Sequence, residues 1–97
     1  MPRKYLRITE VTKICGVNTK FVLRLERENV IAPIVRRNEK VYSMDQVDRV
    51  RVARLLIEEM GVNLEGAEVA LHMREQMIAM QRQFSEILRI LGRELKK

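Results

Sequence analysis

The sequence predicts a mainly α fold, a winged helix-turn-helix unit carried on a long C-terminal coiled-coil helix. Three observations point there: two short helical stretches meet at a glycine, two short strand-like runs follow, and the last part of the chain spaces its apolar residues four and three apart. In the first stretch Thr9 is a preferred N-cap, and Ile8, Val11, Ile14 and Cys15 recur at helical spacing. Gly16 supplies the left-handed stop. After Val17, Asn18 is a second preferred cap, and the next helix runs to about Glu28 with Phe21, Val22 and Leu25 able to face a core. Two short helices joined through a glycine turn outline a helix-turn-helix.

Asn29 closes the second helix, and Pro33 biases the residue before it toward extended backbone. Ile34-Val35-Arg36-Arg37 and Lys40-Val41-Tyr42 then form two strands about a turn at Asn38-Glu39. Ser43-Met44-Asp45-Gln46 fits a capping box, opening a helix whose buried stripe is Val47, Val50, Ala53, Ile57 and Met60. Gly61 stops that helix, and Asn63 caps the last one, which begins at Leu64.

From Met73 the apolar positions are Met73, Met77, Met80, Phe84, Ile87 and Leu91, at spacings of 4, 3, 4, 3 and 4. That alternation is a coiled-coil seam. An amphipathic helix folded back on its own domain is the other reading of the same pattern. A helix from Leu64 to Leu95 is ~48 Å long at 1.5 Å per residue, longer than so small a domain can cover, which favours pairing between chains. Leu88, Ile90 and Leu95 widen the stripe, as expected where its far end packs on the partner's globular unit. The expected organisation is therefore residues 1–72 as the helix-turn-helix unit and 73–97 as the dimerisation helix, with Leu88 and Leu95 joining the seam in a homodimer.

Composition bounds the function. Of 97 residues, 46% are hydrophobic and 33% charged, which suits a folded globular chain. With only four aromatic residues and six Met, the core must be aliphatic. Val30 to Val35, broken by Pro33, is far short of the ~20 apolar residues of a membrane span, so no membrane partner is expected. Met1 to Arg7 is basic with no apolar run behind it, unlike a signal peptide. The single Cys15 cannot form an internal disulfide; it suits a small core residue in a reducing cytoplasm. His72 has only Glu68 and Glu75 nearby on one helix, which is not a zinc set, and no phosphate loop or nucleophile motif occurs. Neither enzyme activity nor a cofactor is expected.

Charge is segregated. Residues 1–42 hold ten Lys/Arg and four Asp/Glu, whereas 43–97 hold nine of each, so the whole net charge of +6 lies in the first part. A concentrated basic field is the footprint of a polyanionic partner, and with this motif the expected partner is double-stranded DNA. The start of the second helix is expected to face the major groove through Asn18, Thr19, Lys20 and Leu23, with Arg24 and Arg27 continuing the stripe onto phosphates. Arg36, Arg37 and Lys40 of the wing add further phosphate contacts. Tyr42 belongs to the same set at the base of the wing, where a packing role is the commoner one for its type.

This order of elements, with Gly61-Val62-Asn63-Leu64 before a heptad helix, resembles the MerR family of transcriptional regulators over nearly the whole chain. Lys40-Val41-Tyr42-Ser43 and Glu59-Met60-Gly61-Val62-Asn63-Leu64-Glu65-Gly66 look most like its heat-shock repressor branch, HspR. The resemblance implies a winged-helix dimer, joined by an antiparallel coiled coil, that binds operator DNA. The sequence departs from the family where an Arg-Tyr-Tyr-Glu run is usual: here stand Leu23, Arg24, Leu25 and Glu26, and Lys40 replaces the usual wing arginine. CbpM-type chaperone modulators, which are similar in architecture and bind a J-domain co-chaperone, depart in the same helix. A chaperone or co-chaperone protein is therefore the alternative partner.

Overall fold

A computed structural model describes residues 4–95. Residues 1–3 and 96–97, the outer ends of the two expected units, lie outside the described residues. The elements run β1 (Tyr5–Leu6), α1 (Ile8–Cys15), α2 (Thr19–Arg27), β2 (Ile34–Arg36), β3 (Glu39–Ser43), α3 (Met44–Arg54) and α4 (Leu64–Leu95). This is the mainly helical architecture the sequence predicts: helix-turn-helix, small antiparallel sheet, long C-terminal helix. The sheet has the order β1-β3-β2, with Tyr5 opposite Ser43, Leu6 opposite Tyr42, and Ile34, Val35 and Arg36 opposite Val41, Lys40 and Glu39.

The start of α1 differs from expectation. Its N-cap is Arg7, whose backbone N–H donates to the Glu10 carboxylate at 3.0 Å, while Thr9 already lies inside the helix. Gly16 ends α1 at φ 67°, in the left-handed conformation that costs a Cβ-free residue nothing. Asn18 caps α2 as predicted, its side-chain oxygen accepting from Phe21 N at 2.8 Å. Asn29, at φ 61°, turns the chain out of α2 and delivers Val30 and Ile31 into the core.

The hairpin turn is Arg37-Asn38, one residue earlier than expected. Both residues have positive φ, 53° and 63°, as a two-residue type I′ turn requires, and Glu39 belongs to β3. Ser43 precedes α3 but makes no side-chain cap. Gln46, expected to reach back to it, instead accepts from Ala32 N at 2.8 Å and pins the loop before the wing. A tertiary donor has outcompeted the local one. After Arg54 the backbone widens into a π turn over Leu55–Glu59, with Met60 N donating to Leu55 O. One extra residue per turn shifts the helical phase. Met60, expected in the stripe, is consequently 64% exposed, whereas Val47, Val50 and Ala53 are buried and Ile57 packs at the core edge.

Asn63 opens α4 as predicted: its side chain accepts from Gly66 N at 2.8 Å. A Cβ on Gly66 would stand 2.8 Å from Val62 Cγ1, so the cap and its glycine form one unit. The core is a single, largely aliphatic cluster that includes Tyr42, built from Leu6, Val11, Val22, Leu25, Val30, Ile31, Val47, Val50 and Leu71 with the smaller Cys15 and Ala53. Cys15 belongs to it, its thiol donating to Val47 O at 3.6 Å, and burial pushes its pKa up. From α4 only Ala67 and Leu71 are buried. Beyond them, ion pairs Arg74–Asp48 (2.9 Å) and Arg49–Glu75 tie α4 to α3, and Arg49 Nε also donates to Val30 O. Arg49 thus joins three parts of the chain and fixes the direction in which α4 leaves.

Candidate nucleic-acid interface

Helix α2 divides into two faces for a simple geometric reason. Val22 and Leu25 are buried and Phe21 and Glu26 partly so, leaving Thr19, Lys20, Leu23, Arg24 and Arg27 exposed. At about 100° per residue those five positions occupy a single arc of about 140° opposite the core. Asn18 is also exposed, at the N-terminal end where the unpaired amides of the helix point outward. The arc carries three cations and one apolar group, Leu23, which is 41% exposed. Of the two leucines flanking Arg24, only Leu23 is on the surface. Leu25 is 0% exposed, so its departure from the aromatic pattern alters core packing and removes no surface contact.

The wing is joined to this helix by contacts that local sequence patterns do not signal. Glu26, on the inner edge of α2, accepts from Lys40 Nζ at 2.7 Å and from the Tyr42 hydroxyl at 3.2 Å. Lys40 therefore spends part of its charge on holding the wing, although its side chain remains 52% exposed. Tyr42 is wholly buried: it is the packing residue at the base of the wing, with its ring in the core and only its hydroxyl engaged. On the other face of the sheet the Arg36 guanidinium lies 4.7 Å above the Tyr5 ring, and Arg7 pairs with Glu39 at 3.1 Å. Strand β1, too short to show any periodicity, is what supplies that ring.

Arg36, Arg37 and Lys40 are all exposed, and Arg37 sits in the tip of the hairpin. The structure thus brings every sequence-selected cation of α2 and the wing to the surface. The Lys40–Glu26 bond holds the two groups side by side, since Glu26 neighbours Arg27 and lies one turn from Leu23. Three of the four acidic residues in this region have compensating roles, Glu10 at the α1 cap, Glu26 on Lys40 and Glu39 on Arg7, while the fourth, Glu28, is exposed at the end of α2. What remains facing solvent is net positive, as a phosphate-tracking surface requires.

The Glu26 contact has a pH signature. Burial and the adjacent carboxylate push the Tyr42 hydroxyl up to about 12 from its ordinary 10. A pKa raised on folding contributes stability that is intact below pH 10 and is lost as pH climbs toward 12. Wild type is therefore expected to lose on the order of 2 kcal/mol between those limits beyond what Tyr42→Phe loses, a difference read from urea unfolding at a series of pH values. Equal pH profiles for the two proteins would mean that the Tyr42 hydroxyl adds no stability through its contact with Glu26.

Among the described residues no helix is long and apolar enough to cross a membrane, and no group of three or more His, Cys, Asp or Glu could hold a metal ion. Residues 6–89 match the family model described as MerR HTH family regulatory protein. No curated protein matches the chain.

Proposed function

The chain belongs to the MerR HTH family of regulatory proteins, a family of DNA-binding transcription regulators and not of enzymes, and from that premise we propose a sequence-specific regulator that grips operator DNA as a homodimer. The observation that carries this reading is the exposed arc of α2 set beside the basic wing. Its width suits a helix lying in the major groove. Lys20 and Thr19 face base edges near the N-terminus, Leu23 meets a thymine methyl, and Arg24, Arg27, Arg36 and Arg37 bind phosphates. Lys40 contributes what charge Glu26 leaves it, while Tyr42 sets the wing angle from inside.

Residues 73–97 act as the dimerisation helix and 1–72 as the DNA-binding unit. In support, α4 buries nothing after Leu71, and its seam residues Met73, Met77, Met80, Phe84, Ile87 and Leu91 are each more than half exposed. The capped segment from Gly61 to Gly66 supports placement in the heat-shock repressor branch, with the cytoplasm as its location.

Fluorescence anisotropy on a labelled duplex from the gene's own upstream region, across a salt series with scrambled competitor, tests the proposal. Saturable binding that resists competitor at near-physiological salt is the expected result. Arg36→Ala should weaken binding to all sequences alike and flatten the slope of log K against log salt by about 0.9. Lys20→Ala should instead reduce discrimination between sites, by about 1–3 kcal/mol per lost base contact. Weak binding that scrambled DNA competes away would reject the operator reading and turn attention to a J-domain co-chaperone on the same face.

A further inference from the structure

Half of the six methionines stand consecutively in one place, as the first three seam positions of α4. Met73, Met77 and Met80 are 56%, 67% and 66% exposed in the single chain, and the other seam positions, Phe84, Ile87, Leu88, Leu91 and Leu95, carry no sulfur. A thioether packs much as leucine does, but it alone among aliphatic side chains accepts an oxygen atom under mild conditions. From this placement we propose that the Met73–Met77–Met80 stripe is an oxidative modification site that controls pairing of α4, the oxidant being hypochlorous acid or a reagent of its class. The proposal rests on the homodimer reading above.

The chemistry balances without a metal or an enzyme. The methionine sulfur attacks the electrophilic chlorine of HOCl, and water then replaces chloride at sulfur with loss of protons. The net change is one S=O bond formed and one O–Cl bond broken. Sulfur is oxidised by two electrons and chlorine is reduced to chloride, one proton being released per sulfoxide. The product is a strong hydrogen-bond acceptor set in a dry seam. The neighbours on the seam offer it no donor, because every seam side chain is apolar or another methionine. Burying an acceptor unsatisfied is unfavourable, so the oxidised free chain stays unpaired.

Position within the helix adds consequence. The oxidisable positions are those next to the globular unit: Met73 directly precedes Arg74, which holds α4 to Asp48. Oxidation there uncouples the two DNA-binding units at the point where their relative placement is set. The core sulfur, Cys15, is 3% exposed and faces Val47 O, so it is shielded from the same reagent. Methionine sulfoxide reduction returns the thioether, which makes the control reversible.

The test combines sedimentation equilibrium with peptide mass spectrometry on the full chain, in a Cys15→Ala background. Untreated protein should sediment as a dimer. Protein treated with hypochlorite while dilute should carry one added oxygen on each of Met73, Met77 and Met80 and dissociate, with a dimer Kd raised by roughly a hundredfold or more. Methionine sulfoxide reductase should restore the dimer. The triple variant Met73→Leu, Met77→Leu, Met80→Leu should remain dimeric after the same treatment, even though exposed Met44 and Met60 are still oxidised. Seam sulfoxides in a protein that still sediments as a dimer would overturn the proposal, as would dissociation of the leucine variant to the same degree. So would seam methionines left unoxidised while Met44 and Met60 convert. A monomer before treatment would instead remove the homodimer reading, and this proposal with it.

Discussion

Phe84→Lys is expected to convert the proposed homodimer to a monomer and to lower affinity for the proposed operator by roughly 10²–10⁴-fold, the factor lost when two linked binding units act singly. Phe84 is the largest seam side chain, 62% exposed in the single chain and centred between the methionine stripe and the leucine-rich end. The described residues leave it largely uncovered, so in the proposed homodimer its burial comes from the partner. A lysine there places a cation in an apolar seam with no carboxylate among the neighbouring seam positions. Because α4 is anchored to the globular unit through its first turns, by Leu64, Ala67, Leu71 and the pairs Arg74–Asp48 and Arg49–Glu75, all remote from Phe84, the monomer should keep its fold. Sedimentation equilibrium and circular dichroism together check this: loss of the dimer with an unchanged melting curve for the globular unit. Truncation after Leu88, which removes Ile90, Leu91 and Leu95, should act in the same direction. A Phe84→Lys protein that still sediments as a dimer would place the interface on another face of α4.

Leu25→Ala carries the largest expected effect on stability, about 3 kcal/mol, with a fall in Tm of about 10–20 °C. Leu25 is among the largest fully buried side chains and comes from the helix that bears the nucleic-acid face. Deleting it opens a cavity directly behind Arg24 and Arg27. Affinity for DNA should fall as well, through loosening of α2. Leu23→Ala, two residues away and 41% exposed, should shift Tm little, within about 0.5 kcal/mol, while changing base preference. Thermal unfolding of the two variants side by side decides between a buried and an exposed assignment for each. Similar losses in both would mean that α2 is rotated relative to the described packing.

The comparison of these leucines shows what the sequence carried. Helix-turn-helix spacing, the Gly16 stop and the Asn18 and Asn63 caps were all legible, because each depends on residues within a few positions. The features that were not legible depend on distant partners. Gln46 was free, on local rules, to complete a capping box with Ser43, yet it bonds to Ala32 N. Lys40 looked like a plain phosphate ligand until Glu26 came within 2.7 Å of it. Strand β1 has two residues, too few to display a period of two, and it exists because β3 offers Tyr5 and Leu6 a ladder. Met60 obeyed helical spacing from Val47, but a π turn at Leu55–Glu59 inserts a residue into the count. In the candidate interface, residue selection from sequence reached the exposed cations, whereas the braces that orient them (Tyr5, Arg7, Glu26 and Glu39) emerged only in three dimensions.

The hairpin tip sets stability and affinity in opposition. A two-residue turn with both φ positive is easiest for Asn followed by Gly, and this chain holds Arg37 and Asn38 there at 53° and 63°. Left-handed backbone at an arginine costs about 1 kcal/mol relative to glycine. Arg37→Gly should therefore make the free protein harder to unfold while removing a cation from the part of the wing that projects furthest. A selection for thermal robustness alone would accept that exchange, and a selection for operator occupancy would refuse it. On the proposed function, an arginine at this position is what the second of the two pressures would keep.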